Sequence, residues 1–255
     1  MALMSSAPLP SPVLFTPEPL PAQAKRRTAK GERTRAAILD AAERLFAERG
    51  YDGVSLRQII EEAGVQMGQL QYYFPSKEGV FVSAVERRLP EVEALYAGAV
   101  ADLAREAAAG QLALRHVVRA VMTVGRAWLA ENDIGRHRYL RMLGLSTLSF
   151  NQPDYVAHHT RAFAPTNAIV MDWLARLYPG AAPSRIKAAY YFIEANLLGM
   201  YCNIDVVFAR IGEPRNPASV ARMHADLEDF LAGGVAGLLA QEAGLPVQEA
   251  GQPAG

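Results

Sequence analysis

The segment 55–75 constrains the fold most, because helix start and stop signals follow one another within it at short intervals. Ser55 predicts a helix start, with Gln58 three residues later as in a capping box. Gly64 ends this helix after about eight residues. Pro75 then prevents the next helix from continuing. The sequence therefore predicts two short helices joined by a tight glycine turn.

A longer amphipathic helix precedes this pair. From Thr34 onward, apolar residues recur at steps of three and four, the spacing of one helix face, and Gly50 supplies the stop. Two short helices braced by a longer one form a three-helix helix-turn-helix unit, with its third helix at roughly residues 66–74. The apolar positions of the first helix are Ile38, Ala41, Ala42, Leu45 and Phe46.

Helical geometry divides the third helix into two faces. If Leu70 points inward, Phe74 falls on the same side one turn later. Gly68 and Tyr72 then point away from the core, between glutamines. A glutamine amide carries a donor and an acceptor, which together match the edge of adenine in the major groove of DNA. This face predicts a DNA-reading helix.

Groups suited to the sugar-phosphate backbone surround the third helix. Ser55 and Lys77 each lie at a helix N-terminus, where backbone amides favour anions, and Arg57 projects from the second helix. The chain as a whole has no net charge, whereas the segment 24–77 carries more cations than acids. A packed pair of helices with a merely solvated outer face stays open as the alternative. The predicted DNA-binding residues are Ser55, Arg57, Gln66, Met67, Gln69, Gln71, Tyr72, Tyr73 and Lys77.

Composition divides the rest of the chain. Residues 1–23 are rich in proline and contain no basic side chain, which predicts disorder. The cations between Lys25 and Arg35 form either a solvated linker or a flexible arm that follows phosphates. The predicted organisation is a leader and basic arm (1–31), a helix-turn-helix domain (32–80), a helical ligand-binding and dimerisation domain (81–243) and a disordered tail (244–255).

The chain from Arg33 to Val82 resembles the N-terminal domain of TetR-family transcriptional regulators. The resemblance rests on the first helix ILDAAERLFAERG, the turn with Tyr51, the Gly64-Val65 turn and the ending YYFPSKE. It implies an all-α homodimer. Each subunit would have a three-helix DNA-binding head and a larger helical body that binds an effector and dimerises.

The resemblance also assigns expected roles within the third helix. Tyr72, Tyr73 and Lys77 stand where the family usually contacts the backbone or bases of DNA. Gln71 departs from the pattern, because many members have a tyrosine there, and Gln66-Met67 replaces a Ser-Lys or similar pair. We therefore expect a distinct operator, with an adenine read by Gln71.

Beyond residue 77 the pattern stays helical almost to the end, with predicted helices at about 112–132, 134–150, 153–178, 183–209 and 217–241. Aromatic and methionine side chains mixed with polar ones are compatible with a small-molecule site, although core packing is the simpler explanation for each aromatic alone. Arg141 is expected to meet an anion, either a ligand carboxylate or Glu194. The predicted effector-binding residues are Trp128, Tyr139, Arg141, Met142, Phe163, Tyr190, Glu194 and Tyr201.

Two runs of the body, RYLRMLGLSTLSF and YYFIEANLLGMY, are similar to the effector domains of fatty-acid-responsive TetR regulators. This similarity implies a largely apolar effector, either an acyl compound or another hydrophobic molecule.

The last two predicted helices have broad apolar faces. Such a pair could meet its twin in a four-helix interface and so form the homodimer. Burial within the same chain is the alternative. The apolar residues are Leu197, Leu198, Ile204, Val207, Phe208, Phe230, Leu231, Val235, Leu238 and Leu239.

Several function classes find no support in the sequence. A single cysteine, Cys202, fits a reducing cytoplasm, and the absence of a long apolar run argues against a membrane span. No nucleophile–base pair, phosphate loop or metal-ligand spacing stands out, so we expect no enzyme, no cofactor and no metal. The sequence predicts a ligand-responsive repressor that an effector releases from its double-stranded DNA operator. The alternative is a helical ligand-binding or scaffolding protein whose helix-turn-helix no longer binds specific DNA.

Overall fold

The computed structural model describes residues 28–131, 133–148 and 166–240, and every helix or strand assigned in these ranges is an α-helix, as predicted. In chain order the described helices are α1 (Ala29–Arg49), α2 (Leu56–Ala63), α3 (Met67–Tyr73), α4 (Lys77–Glu86), α5 (Leu89–Ala108), α6 (Leu114–Val121), α7 (Thr123–Ala130), α8 (Ile134–Leu148), α9 (166–177), α10 (Pro183–Cys202), α11 (Ile204–Ile211) and α12 (Pro217–Ala240).

Local capping sets the ends of the first helices. The backbone N–H of Ser55 donates to Oε1 of Gln58 at 2.8 Å, and the backbone N–H of Gln58 donates to Oγ of Ser55 at 3.3 Å. This reciprocal pair is the predicted capping box at the start of α2, and it satisfies amides that have no partner inside the helix. Gly64 ends α2 at φ 64°, in the left-handed region that glycine adopts without strain.

Aromatic packing forms the centre of the N-terminal unit, which we call the head (α1–α4). The rings of Phe46 and Phe81 meet edge to face, with their centroids 5.1 Å apart. Tyr51 stacks on Phe46 at 5.8 Å and meets the edge of Phe81 at 5.4 Å. Offset and edge-to-face arrangements are the favourable geometries for such rings. These residues join α1, the turn after it and α4 into one core.

Helix α4 continues through the predicted domain boundary between residues 80 and 81. Val80 and Phe81 are fully buried, and burial extends along α4 to Val85. The chain turns only after Glu86, and Pro90 lies in the first turn of α5, where its missing N–H costs nothing. The division into two domains therefore stays a prediction, since one helix belongs to both segments.

Ion pairs link the head to the start of the body (α5–α12). Glu43 of α1 is 3% exposed, and its Oε2 lies 3.2 Å from Nη2 of Arg88. Arg87 pairs with Asp40 at 2.5 Å. Burial raises the pKa of Glu43, while the two arginines act in the opposite direction. The hydroxyl of Tyr139 in α8 donates to the backbone oxygen of Val85 at 3.2 Å, a second link between body and head.

The body helices are shorter than the periodicity predicts. The segment expected to be one helix over 112–132 is interrupted at Met122, between α6 and α7. The segment expected over 183–209 breaks at Asn203, where α10 and α11 meet with a bend of 83°. The N–H of Asn203 bonds to the oxygen of Met200 at 3.2 Å, a tighter turn that interrupts the α-helical ladder. Residues 149–165, with Phe163, lie outside the described part.

Several apolar residues predicted to form a dimer interface are instead buried within the chain. Packing among the helices of one subunit already removes them from water, because α12 packs on α6, α7 and α10. The alternative of intramolecular burial is correct for these positions: Leu197, Ile204, Phe208, Leu231, Val235 and Leu239. Phe230 of α12 remains 68% exposed, and Tyr191 and Phe192 of α10 remain 57% exposed.

A helix that spans a membrane must be both long and apolar. Within the described ranges no single helix meets that test, and only the bent pair α10–α11 meets it jointly.

We predict that His224→Phe flattens the acid limb of the stability curve. His224 of α12 is 3% exposed, Nε2 is shielded from solvent without a hydrogen bond among the described residues, and the ring meets the edge of Tyr201. Burial, aided by Arg126, lowers its pKa from 6.5 to about 4. Between these values the unfolded chain binds the proton and the folded chain does not, so stability falls as the pH falls.

Over that interval the wild type should lose roughly 2–3 kcal/mol more than the variant, whose ring keeps the packing but cannot titrate. Urea unfolding at pH 7 and pH 4.5 measures the difference. Equal losses in the two proteins would contradict the assignment.

Candidate nucleic-acid interface

The turn between α2 and α3 sets the direction of the third helix. The N–H of Val65 donates to the oxygen of Ile60 at 3.1 Å, and the N–H of Gly64 donates to the oxygen of Glu61 at 3.4 Å. These bonds, with the left-handed conformation of Gly64, form the glycine ending that often closes a helix. Helix α3 therefore leaves α2 at a defined angle rather than through a flexible loop.

Two apolar side chains anchor α3 to the head. Leu70 is fully buried, and Phe74 is 2% exposed. The N–H of Phe74 donates to the oxygen of Leu70 at 2.8 Å, which ends the helix one turn after its anchor. The guanidinium of Arg35, in α1, lies 5.6 Å from the centre of the Phe74 ring. This is the inward seam that the helical spacing predicts.

The opposite side of α3 faces solvent. Tyr72 is 65% exposed and Met67 is 40% exposed. Gln71 is exposed as well, and the space where a side chain of Gly68 would lie is open. Because the buried seam holds the helix from behind, these groups form a surface whose backbone cannot readily move away from a partner.

Gln69 has a structural role that the sequence reading missed. Its Oε1 accepts the backbone N–H of Gln66 at 2.9 Å, at the first turn of α3. The glutamine spacing, three residues apart at a helix start, is the signal that could have revealed this cap. The acceptor of Gln69 is thus engaged by the protein, whereas Gln71 has no such role among the described contacts.

Tyr72 and Tyr73 differ although they are adjacent. Tyr73 is only partly exposed and lies on the head core, and its ring meets Tyr72 edge to face at 5.0 Å. Its hydroxyl lies so close to Gly31 that a β-carbon there would come within 3.0 Å. Tyr73 therefore braces α3 against the start of α1, and Tyr72 is the tyrosine that is freely presented.

Lys77 lies at the start of α4. Its Nζ is 4.2 Å from the centre of the Tyr51 ring, a cation–π distance. Burial lowers the pKa of Lys77, and Asp52 acts in the opposite direction. The N–H of Gly79 donates to Oγ of Ser76 at 3.0 Å, which caps α4 beside it. The side chain is thus positioned by the head core, which limits how far it can reach.

Arg57 points into solvent on α2 together with an acid. Its Nε lies 3.0 Å from Oε1 of Glu61, and both side chains are well exposed. An ion pair between exposed groups contributes little to stability, so a phosphate could replace Glu61 at small cost. Ser55, at the start of the same helix, presents its hydroxyl within the capping box described above.

The predicted effector residues fall into separate groups. Trp128, Tyr139 and Met142 are buried, and the rings of Trp128 and Tyr139 meet edge to face at 5.5 Å. The Tyr139 hydroxyl is already bound to the backbone. These contacts are those of close core packing, which is the simpler explanation that the sequence left open.

A polar cluster inside the body contains two other predicted residues. The hydroxyl of Tyr190 lies 2.5 Å from Oδ1 of Asn167 and 3.1 Å from Oε1 of Glu194. Burial raises the pKa of Glu194, and the hydrogen bond from Tyr190 opposes that rise. The hydroxyl of Tyr201 is buried and has no hydrogen bond within the described residues, and burial raises its pKa. Such groups can orient a bound molecule.

Arg141 does not join this cluster. No ion pair with Glu194 is present in the described part, and Arg141 instead lines a cavity with Arg138 and Cys202. Of the two anions predicted for Arg141, Glu194 is therefore not the partner, because its carboxylate accepts a hydrogen bond from Tyr190 instead. The described residues also contain no cluster of three or more His, Cys, Asp or Glu able to hold a metal ion.

An anchored recognition helix preceded by a capped helix and a glycine turn defines a helix-turn-helix DNA-binding domain. Residues 38–84 match the family described as bacterial regulatory proteins, tetR family. The helix-turn-helix segment of this chain is therefore similar to the corresponding segment of that family.

Curated transcriptional regulators match a part of this chain. The HTH-type transcriptional regulator RutR of Escherichia coli (strain K12) is 43% identical over 65 residues, which cover 23% of this chain and 31% of RutR. The HTH-type transcriptional regulator LmrA of Bacillus subtilis (strain 168) is 49% identical over 53 residues, 20% of this chain and 28% of LmrA. The match thus spans about a third of these relatives' length.

The whole fold has solved counterparts. A crystal structure of the transcriptional regulator FadR from Bacillus subtilis, in complex with stearoyl-CoA, superposes with a TM-score of 0.53 at 18% identity. The alignment covers 78% of this chain and 98% of FadR. At this identity the likeness establishes the fold, a helix-turn-helix head joined to a larger helical body.

Two glycines, Gly64 and Gly68, allow a matched test of the backbone conformation at the turn before α3 and within α3. Gly64→Ala should destabilise the protein by about 1–2 kcal/mol, because an alanine is strained in the left-handed region. Gly68→Ala introduces the same atoms into open space within α3, and it should stabilise the helix by up to about 1 kcal/mol. Urea unfolding of both variants measures the difference. Effects of equal sign would contradict the described conformations.

Proposed function

We propose that the protein is a DNA-binding transcriptional regulator, a repressor that a small, largely apolar effector releases from its operator. The observation that carries this proposal is the solvent-facing surface of α3, which is backed by the buried side chains of Leu70 and Phe74. A surface of this kind, rigid and rich in hydrogen-bonding groups, suits the major groove. We further propose that it acts in the cytoplasm and catalyses no reaction.

In this proposal the N-terminal end of α3 enters the groove. Gln71 donates to and accepts from an adenine edge, and Tyr72 contacts a phosphate or a thymine methyl group. The open space at Gly68 allows the helix backbone to approach the bases closely. Gln66 and Met67, at the first turn, lie within reach of the same groove.

Backbone contacts would hold the head in register. In this proposal the backbone amides at the start of α2 and the guanidinium of Arg57 contact the phosphates of one DNA strand. Lys77 contacts the phosphates of the other strand. Tyr73 contributes by fixing α3 against α1 rather than by reading bases. Phosphate contacts of this kind supply affinity but no sequence information.

A second copy of the chain would place the second head. Phe230 is 68% exposed, and Tyr191 and Phe192 are 57% exposed, on the two helices predicted to dimerise. A contiguous exposed apolar patch marks an interaction surface, and in this proposal these three side chains contribute to one. The two heads would then occupy successive major grooves, about 34–36 Å apart.

The effector would act on the body. FadR holds stearoyl-CoA in the structure with the same fold, which supports an acyl or other hydrophobic effector here. The cluster of Tyr190, Asn167 and Glu194 would orient its polar end. Because α8 packs on α1 and Tyr139 holds Val85, a shift of the body helices would move the head. A coupling of about 1–3 kcal/mol suffices for release.

The alternative is a ligand-binding or scaffolding protein with a head that has lost specific DNA binding. The exposed surface of α3 favours the regulator, because a vestigial head would have no need for an anchored helix with an open face. Selection of bound duplexes from a random pool separates the two functions: enrichment of one motif supports the regulator, and no enrichment supports the alternative.

We expect Gln71→Ala to relax base preference at one operator position by roughly 1–3 kcal/mol, because the amide that matches adenine is removed. Affinities for the selected duplex and its single-base variants, measured by fluorescence anisotropy, test this. Gln111→Ala, at an exposed glutamine far along the chain, is the matched control and should change nothing. An unchanged preference at every position in Gln71→Ala would refute the assigned role.

We expect Phe230→Glu to convert a dimer into monomers. Burying two phenylalanines contributes roughly 3 kcal/mol or more, so the dissociation constant should rise at least about a hundredfold. Sedimentation equilibrium measures it. Ile211→Glu provides a control, since Ile211 is similarly exposed but ends α11. A wild-type monomer, or a variant that still dimerises, would exclude this surface as the interface.

A further inference from the structure

A cavity of about 410 Å³ lies where the end of α1 meets the body. Ala47 and Glu48 of α1 line it from the head, and residues of α7, α8, α10 and α11 line it from the body. Its volume falls within the range typical of small-molecule sites. The cavity is separate from the cluster of Tyr190 and Glu194, neither of which lines it.

Three arginines converge on this cavity: Arg138, Arg141 and Arg215. Arg215 is engaged by the protein, because its Nη1 lies 2.7 Å from Oδ1 of Asp205 and its Nη2 lies 2.9 Å from Nδ1 of His137. Arg138 and Arg141 form no ion pair with any carboxylate in the described ranges. Two guanidinium groups that share a cavity without a counter-ion repel one another.

Arg141 has a further unsatisfied group. Its Nε is shielded from solvent and donates no hydrogen bond within the described residues. A shielded donor without an acceptor destabilises the structure, and a rotation of the guanidinium toward a ligand oxygen would relieve that cost.

The acids of the cavity do not cancel its positive charge. Asp205 is already paired with Arg215, and Glu48 forms no ion pair among the described contacts. Three guanidinium groups therefore face two carboxylates. Burial and the neighbouring Arg215 lower the pKa of His137, which thus adds no positive charge near neutral pH.

The remaining walls are apolar. Leu129, Ile134 and Ile204 line the cavity beside the arginines, and Ile134 is 62% exposed. A ligand that carries only charge would leave these side chains uncovered. A ligand with a short hydrocarbon part would cover them while its charged end meets the arginines.

We propose that this cavity binds a small amphiphilic anion, whose carboxylate or phosphate is held by Arg138 and Arg141 and whose apolar part lies against Leu129 and Ile134. Guanidinium groups bind such planar or tetrahedral oxyanions through paired hydrogen bonds. The site lies between the end of α1 and the body. Its assignment does not depend on the proposed DNA binding. Since α1 forms one wall of the cavity, a bound ligand would also bias the position of the head.

Calorimetric titration of the full chain without DNA tests the proposal. The probes are hexanoate, inorganic phosphate and the uncharged hexanamide. We expect at least one anion to bind at least tenfold more tightly than hexanamide. Hexanoate alone would assign the site to carboxylates, whereas inorganic phosphate alone would contradict the apolar part of the proposal. Binding of neither anion at millimolar concentration, or equal binding of hexanamide, would overturn the proposal.

Variants locate the binding. Arg138→Gln with Arg141→Gln should weaken anion binding at least tenfold, whereas Arg210→Gln, at an exposed arginine of α11 outside the cavity, should leave it unchanged. Unaltered anion binding in the double variant would contradict the proposal.

Glu48→Gln removes a carboxylate from the wall and should tighten anion binding several-fold, a gain that misfolding cannot imitate. A loss or no change there would count equally against the site. Because DNA is absent throughout, failure of this proposal leaves the proposed function untouched.

Discussion

Burial of Leu70 and Phe74 is the interaction on which the rest of the structure depends. Helix α3 is too short to be stable alone, since isolated helices of this length do not form in water. Its two apolar side chains hold it against a head core centred on Phe46, Tyr51 and Phe81. With the helix secured from within, Gln71 and Tyr72 on its outer side make no contact that the fold requires among the described residues.

Buried ion pairs hold the joint between head and body. Glu43 is buried and would be costly if left unpaired, so its arginines must stay in place for the fold to persist. Both arginines lie between α4 and α5, where the chain passes from the head into the body. Head and body are therefore joined by paired charges and by the hydrogen bond of Tyr139 to Val85.

Sequence reasoning succeeded where the information is local. The capping box at Ser55, the glycine end at Gly64 and the two faces of α3 depend on residues a few positions apart, and the structure has each of them. It missed the cap made by Gln69 and the brace made by Tyr73. The cap was missed because a glutamine at this position suits a base contact as well as a helix cap. The brace was missed because Tyr73 contacts Gly31, which is distant in sequence.

In the body, helical periodicity predicted the fold class but not the partners of individual side chains. An apolar helix face can be buried by its own chain or by a second copy, and only packing distinguishes Leu231, which is buried, from Phe230, which is exposed. Likewise the sequence shows only that Arg141 is a charged residue in an apolar helix. The arrangement of the helices places it at the cavity between α1 and the body and not beside Glu194. The sequence by itself determined the all-α fold class, the caps at Ser55 and Gly64 and the two faces of α3, because these follow from short-range spacing. The tertiary structure alone decided which surfaces and charges remain unpartnered, because that depends on contacts between residues far apart along the chain.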